Sequence, residues 1–345
     1  MRRAITGMQS KAVSDQHPFE WILIAKGIGI ILVVIGHFRP ETSPRYWCEI
    51  IDVIYTFHMA LFFSLSGYLC SFANYSYPTF LKKKAERLLF PFVSIAAIFF
   101  LIKYTAGKIV ALEYPVTVDA LYTLLIDPAH SHMPLLWFVH ALFLMFVCYP
   151  LARIFLSGPL ILVLLLTLNI FLGNDFKIFG PALSYMPFFV IGAFSKEYKV
   201  HLQVFMNRDP RYLIVLLLLF LSVYIGRLSG LLEFINEYAP IFFLGAVGSL
   251  LIVIASRTIS SLSHNTKVKG LLVQVGLYSM TIYLFHTLFE STTKIGLLKA
   301  GNFIPMPFEL IAFTAVVCGV FFPMLLEKKV FRKYLVTRKC ILGLP

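Results

Sequence analysis

The chain has 345 residues, of which 59% are hydrophobic and only 14% are charged. A soluble domain has close to half apolar and a quarter charged residues, so this composition excludes an ordinary soluble domain and is typical of a multi-pass membrane protein. The net charge is +13, but the sequence contains no pattern typical of nucleic-acid binding. The phosphate-binding patterns GxxxxGK[ST] and GxGxxG are also missing, which argues against an ATP-driven or dinucleotide-binding machine.

Apolar runs of spanning or near-spanning length recur along the whole chain. Because a helix needs about 20 residues to cross the hydrocarbon core, they predict an all-α fold with about ten transmembrane helices. The first run is too long for a signal-peptide core and no small-residue cleavage site follows it, so we expect it to be retained. The runs cover residues 19–38, 51–72, 88–104, 135–155, 158–172, 181–194, 212–228, 239–255, 271–289 and 308–326.

The basic residues are distributed unevenly between alternate loops. One set of segments carries 21 of the 30 Lys and Arg residues, and the positive-inside rule therefore places this set, with both termini, in the cytoplasm. We predict a single integral membrane domain over 1–345, with 1–18 as its cytoplasmic N-terminal segment. The basic segments are 1–18, 73–87, the turn at Arg153, 195–211, 256–270 and the C-terminal tail 327–345.

Four predicted helices each bring an imidazole to the same depth, near the outer side. Ionisable groups within a membrane usually face the bundle interior or a wet cavity, so these histidines are candidate site residues. The alternative is a packed or interfacial histidine that bonds to a backbone carbonyl. The four residues are His37, His58, His140 and His286.

No metal site is predicted. The pair His130 and His132 lies in a loop without a third ligand nearby in sequence, which favours ordinary loop polarity. The five cysteines show no metal-binding spacing, and only Cys48 falls clearly in an outer loop, so a disulfide framework is not expected either.

The first predicted helix, within "WILIAKGIGIILVVIGHF", carries both a cation and a histidine. Lys26 and His37 are 11 residues apart, which is three helical turns and about 16 Å at 1.5 Å per residue. They therefore share one helix face. The alternative for Lys26 is snorkelling to the inner interface.

The densest basic stretch is "FLKKKAERLLFPF" at 80–92, with Lys82, Lys83, Lys84 and Arg87 at the start of the third predicted helix. Lys84 and Arg87 are three residues apart and can share a helix face. Cations spaced in this way could clamp a pyrophosphate or a phosphomonoester. The alternative is a stop-transfer signal, a charge cluster that acts only during insertion of the chain into the membrane.

In order along the chain, six stretches resemble those of the acyltransferase family 3 integral membrane proteins, particularly the branch typified by fucose 4-O-acetylase. The ordered set is more specific than any one motif. The stretches are "WILIAKGIGIILVVIGHF", "FHMALFFSLSGYL", "KKKAERLLFP", "LWFVHALF", "YMPFFVIGAF" and "GLYSMTIYLFH".

The resemblance implies a bacterial inner-membrane enzyme that moves an acyl group, commonly acetyl, from cytoplasmic acyl-CoA to a hydroxyl of a cell-surface glycan or its lipid-linked precursor. Acetyl-CoA or another acyl-CoA is then the co-substrate, and membrane lipid and glycan are the partners. A homo-oligomer is compatible with this assignment, and no nucleic acid is expected. The family's histidine near the end of its first helix corresponds to His37, and its RxxR pair to Lys84 and Arg87.

The chain departs from the family pattern at three places. Lys84 replaces the first arginine of RxxR, Ala60 replaces a proline in "FHMPLFF", and Leu23 replaces an acidic residue in "WxDxAKG". Without a carboxylate at position 23, Lys26 lacks the acidic partner that the family pattern would give it in the first helix. Glu20, three residues earlier, is the candidate substitute.

Acyl transfer to a hydroxyl needs a base, hydrogen-bond donors for the developing oxyanion and residues that bind the acyl donor. His37 is the candidate base, because the usual pKa of histidine lies near neutral pH. Direct transfer and a covalent acyl-enzyme both remain open. The other candidates are His286, Tyr283, Ser279 and Ser66 for orientation or the oxyanion, Lys26, Lys82, Lys83, Lys84 and Arg87 for CoA, and His58, Trp137 and His140 for the acceptor.

Two rival functions remain compatible with the sequence. A transporter or flippase of a lipid-linked glycan could use the histidines for proton coupling and the aromatic residues, 16% of the chain, for stacking on sugars. No clear pair of broken helices or inverted repeats supports it. A membrane scaffold for glycan assembly is the second rival, and turnover of acyl-CoA would separate the enzyme from both.

Overall fold

The computed structural model describes residues 19–108, 119–131, 133–172, 180–197, 211–262, 266–301 and 306–343. The predicted N-terminal segment 1–18 and His132 lie outside these residues. Over the described part the chain forms fourteen α-helices and no strand. The all-α polytopic fold predicted from composition is therefore confirmed.

The first seven helices carry the predicted histidine and lysine residues of the N-terminal half. Short 3₁₀ turns at Phe72–Asn74, Pro128–His130 and Pro134–Leu136 connect some of them. The helices are α1 Glu20–His37, α2 Arg45–Tyr55, α3 His58–Tyr68, α4 Tyr77–Ala106, α5 Asp119–Ile126, α6 Trp137–Phe155 and α7 Gly158–Leu172.

The second seven complete the bundle, and a π-helical turn at Glu327–Phe331 precedes the last of them. These helices are α8 Gly180–Glu197, α9 Arg211–Leu228, α10 Tyr238–Ser261, α11 Lys267–Leu277, α12 Ser279–Gly301, α13 Phe308–Leu326 and α14 Leu335–Cys340.

Each of the ten predicted apolar runs coincides with helix, but the spans differ in two places. By length and composition, the described residues contain six helices able to cross a membrane, or seven if the bent pair α11 and α12 is one span. The predicted continuous helix 271–289 is wrong, because α11 and α12 meet at Tyr278 with a bend of 86°. The second predicted span is also interrupted, at Thr56 and Phe57 between α2 and α3.

Helix α1 lies at the centre of the bundle, in contact with α2, α3, α10, α11, α12 and α13. Its contact with α11 is backbone to backbone, because a Cβ atom on Gly276 would lie 1.9 Å from the Leu23 carbonyl oxygen. Small residues allow this close approach in membranes, where apolar side chains gain little by leaving lipid. The helix that carries Lys26 and His37 is therefore surrounded by protein.

A buried carboxylate fixes the start of α12. Glu327 accepts hydrogen bonds from the Thr281 hydroxyl at 2.5 Å and from the Arg332 guanidinium at 2.8 and 2.9 Å. The guanidinium also lies 4.9 Å from the centre of the Tyr278 ring at the bend. This network joins the bend to the end of α13 and sets the direction in which α12 carries His286.

The two ends of the bundle differ in character. We use "basic end" for the end that holds Glu20, Lys84 and Lys269, and "histidine end" for the opposite end, where His37 closes α1. Contacts join several of the predicted cytoplasmic segments to one another and to this end: Lys269 pairs with Glu20, Arg153 with Glu197 and Lys196 with Ser71, and Gly343 lies against Arg87. This arrangement agrees with the loop charges, while assignment of the basic end to the cytoplasm stays a prediction.

Candidate active site

The structure brings two of the predicted histidines into contact. His37, the last residue of α1, and His286, on α12, have ring centres 5.0 Å apart. His37 is exposed, whereas His286 has no exposed surface. An accessible imidazole thus lies against a buried one, at the end of the central helix.

The hydrogen bonds of His286 define its tautomer. Its Nδ1 lies 3.0 Å from the Ile282 carbonyl oxygen and 2.8 Å from that of Tyr283. Because carbonyl oxygens only accept, Nδ1 carries the hydrogen and Nε2 is left with a free lone pair. Nε2 is buried and has no partner among the described residues. It is therefore suited to accept a hydrogen bond from His37 or from a substrate hydroxyl.

A third histidine adjoins this pair through Tyr55. The Tyr55 hydroxyl donates to the Gly36 carbonyl oxygen at 2.8 Å, and its ring centre lies 6.4 Å from that of His37. His58 lies on the other side of Tyr55, with ring centres 5.1 Å apart, and its Nδ1 donates to the Ile54 carbonyl oxygen at 2.9 Å. The break between α2 and α3 makes this packing possible. Tyr55 was not a predicted site residue, and its only sequence signal is its position three residues before His58.

The predicted acceptor residues on α6 lie in a separate aromatic layer. Trp137 packs with Tyr185 and Phe63, with ring centres 5.5 and 6.1 Å away, and His140 lies 6.4 Å from the ring centre of Phe92. The rings of Phe138 and Tyr283 connect this layer to α12 at 5.3 Å between centres. Trp137 is thus linked to His286 through the rings of Phe138 and Tyr283, while the ring contact of His140 is with Phe92.

The three hydroxyl candidates are not equivalent. The Tyr283 hydroxyl donates to the Leu135 carbonyl oxygen and is buried, so it positions the loop before α6 rather than facing His37. Ser279 and Ser66 lie seven and eight residues from His286 and His58 on their helices, which is about 10 and 12 Å toward the basic end. The structure therefore does not bring either serine to His37.

Sequence reasoning missed a buried glutamate beside the pair. Glu290 follows His286 by four residues, so both lie on one face of α12, and it is only 4% exposed. One of its oxygens, Oε2, is buried without a partner among the described residues, and the charge of Lys294 acts on it from one turn further. The spacing "HTLFE" was the available signal. A carboxyl group in this position could hold or exchange a proton behind the histidines.

Three of the predicted CoA-binding cations gather at the basic end. The charges of Arg87 and Lys84 act on Lys26, and the Lys84 ammonium lies 4.0 Å from the centre of the Phe146 ring. Among the described residues, no carboxylate pairs with these three cations. Lys82 and Lys83 are exposed, and Lys83 lies over the Tyr75 ring at 3.8 Å. Cations gathered without counter-charges are suited to bind an anionic ligand.

The C-terminal tail packs against this cationic cluster. Ile341 and Leu342 are buried in the main core, and a Cβ atom on Gly343 would lie 2.6 Å from the Arg87 Cα. Gly343 has a φ of +59°, which a side chain would also disfavour. The tail thus fixes the backbone at Arg87.

The expectation that Glu20 replaces the missing acidic partner of Lys26 is wrong. The Glu20 carboxylate lies 3.2 Å from the Lys269 ammonium and accepts a hydrogen bond from the Ser260 hydroxyl at 3.2 Å. Lys269 is largely buried and also donates to the Ser260 carbonyl oxygen at 3.0 Å. Glu20 therefore joins α1 to α10 and α11 and leaves Lys26 free for another partner.

Comparison with known proteins decides the family. The acyltransferase 3 family model, described as "Acyltransferase domain", matches residues 19–326. This chain belongs to that family. The resemblance stated from the sequence motifs is thereby confirmed at the level of the family, and the apolar helices agree with a multi-pass membrane protein.

A further similarity is more limited. Over 130 residues the chain is 31% identical to nodulation protein NolL of Mesorhizobium japonicum, an alignment that covers 36% of this chain and 33% of NolL. The chain thus matches about a third of the length of that relative. No solved structure matches the chain.

Proposed function

We propose that this acyltransferase transfers an acyl group, in the simplest case acetyl, from cytoplasmic acyl-CoA to a hydroxyl of a cell-surface polysaccharide or its lipid-linked precursor, in a bacterial inner membrane. The observation that carries the proposal is the layout of α1. It places the accessible His37 against His286 at its last residue, and three turns earlier it places Lys26 within the influence of the charges of Lys84 and Arg87. The two ends of this layout are about 16 Å apart along the helix.

In this proposal His37 removes the proton of the acceptor hydroxyl. The hydroxyl oxygen then attacks the thioester carbonyl carbon, the carbon–sulfur bond breaks, and the CoA thiolate leaves and takes up a proton. His286 receives a hydrogen bond at its free Nε2 and holds His37 in orientation. Glu290, behind the pair, is a reservoir for the proton. If another group of the enzyme first carries the acyl group covalently, His37 still removes the proton of the acceptor hydroxyl in the second transfer.

Lys84 and Arg87 hold the phosphates of CoA at the basic end, together with Lys26. Charge-assisted bonds to phosphate are strong, and Arg can bind it with two parallel N–H donors. The acyl-bearing arm must then extend along α1 toward His37. Trp137 and His140 border the acceptor side, where aromatic rings can stack on a sugar.

Acyl-CoA consumption tests the proposed function. The purified protein in lipid nanodiscs is supplied with acetyl-CoA and a panel of polysaccharides and lipid-linked glycans, and release of free CoA is measured. We expect release that depends on one class of glycan, with the acyl group recovered on that glycan. Translocation of a lipid-linked glycan without acyl transfer, in the same nanodiscs, would favour the transporter.

The CoA-binding role of the basic end predicts a selective kinetic effect. Replacing Arg87 or Lys84 with Gln should raise the apparent KM for acyl-CoA about 10-fold or more, because each loses one charged hydrogen-bonding group worth ~1.5–3 kcal/mol. Lys82→Gln is the matched control, since Lys82 lies on the same helix and is exposed outside the cluster. A change confined to the KM of the glycan, or an equal effect of Lys82→Gln, would contradict this role.

A further inference from the structure

A cavity lies at the basic end, apart from the cationic cluster at Arg87. It is a slot of about 110 Å³ between α1, α3, α8 and α10. Its walls are largely apolar, with Phe188 and Ala246 toward the middle of the bundle, and Trp21 and Arg257 at the basic end. None of these residues takes part in the proposed acyl transfer.

Arg257 closes the slot at the basic end. The guanidinium carbon lies 4.4 Å from the centre of the Trp21 ring, which holds the group in place. Its Nε is buried and has no hydrogen-bond partner among the described residues, and no carboxylate there pairs with it. A buried donor without an acceptor costs about 1–3 kcal/mol, and more when it is charged, so this position is prepared for an anionic acceptor.

The shape of the slot adds a second requirement. From Arg257 to Ala246 is eleven residues along α10, or about 16 Å. The slot between them is mostly apolar, and its hydroxyl groups are those of Ser64, Tyr68, Ser195 and Ser249. With a volume of about 110 Å³, the slot can hold part of an apolar chain. The ligand therefore needs an anionic head and an apolar chain.

We propose that this slot binds an anionic phospholipid, with its phosphate on Arg257 and one acyl chain laid along α10. Anionic lipids are enriched in the cytoplasmic leaflet, the side to which the loop charges assign the basic end. The proposal is independent of the acyl-transfer chemistry. The bound lipid fills the space between α1, α3, α8 and α10 and so stabilises the packing around the central helix.

Lipid binding to the delipidated full-length protein tests this site. Binding of phosphatidylglycerol and of phosphatidylcholine with the same chains is measured by native mass spectrometry, with inorganic phosphate as competitor. We expect preferential retention of phosphatidylglycerol, and a loss of that preference of at least tenfold in Arg257→Gln. Lys267→Gln, which removes an exposed charge at the same end, should behave as wild type.

A second variant separates the lipid from a simple anion. Ala246→Leu fills the slot and leaves Arg257 in place, so it should weaken retention of phosphatidylglycerol while the protein remains folded. Equal retention by wild type and both variants would overturn the proposal. Displacement of phosphatidylglycerol by millimolar inorganic phosphate would also overturn it, because the site would then recognise the anion without the chain.

Discussion

Replacing His37 with alanine should reduce the rate of glycan-dependent CoA release by about 10²–10⁴-fold, which is the contribution expected of a general base. Among the described histidines of the cluster, His37 combines exposure with contact to a buried imidazole, whereas His58 and His286 each donate Nδ1 to a backbone carbonyl. The measurement is steady-state release of CoA by the purified variant in nanodiscs, together with CoA binding by calorimetry. Binding of CoA should persist, because the cationic cluster lies at the other end of α1.

Two controls make the His37 experiment specific. His130→Ala removes an exposed histidine whose partner among the described residues is Asp127, at 3.0 Å, and should keep full activity. His286→Ala should also lower kcat strongly if His286 orients His37, since the free Nε2 is lost. Activity retained by His37→Ala in a folded protein that binds CoA would remove His37 as the base and direct attention to Glu290.

Substitution of Gly192 by valine should unfold the protein or leave it unable to accumulate in the membrane. A Cβ atom on Gly192 would lie 1.9 Å from the Ser64 carbonyl oxygen, and one on Gly67 would lie 1.9 Å from that of Phe189. The two glycines thus allow α3 and α8 to pack backbone to backbone, and backbone atoms cannot move aside as a flexible side chain does. The expected cost is at or above the upper end of the ~1–3 kcal/mol usual for overpacking.

Thermal unfolding of the detergent-purified protein, followed by size-exclusion chromatography, measures this effect. Gly296→Ala is the matched control, because a Cβ atom at Gly296 meets no atom within 4 Å. That variant should be as stable as wild type or slightly more so, since alanine is the better helix former. A Gly192→Val protein with the wild-type melting temperature would show that α3 and α8 do not pack in this way.

The amino-acid sequence was sufficient to predict those features of the protein that depend on local composition and spacing. Apolar runs of membrane length specify spanning helices wherever they occur, because every backbone polar group must be satisfied within the lipid. The 11-residue spacing of Lys26 and His37 likewise determines that both lie on one face of α1, whatever surrounds the helix. The family could also be recognised, since its motifs appear in order along most of the chain.

Only the tertiary structure decided which side chains meet, because such contacts depend on the direction of helices far apart in the sequence. The 86° bend at Tyr278 directs α12 so that His286 contacts His37. Hydropathy could not reveal this bend, because the sequence is similarly apolar on both sides of it. Glu20 pairs with Lys269 rather than Lys26 because α10 and α11 return to the start of α1. In a hydropathy profile Glu290 and Arg257 count only as single charged residues, whereas each carries a buried polar atom that has no partner among the described residues. Composition therefore determined the membrane-spanning elements, and long-range packing determined the site.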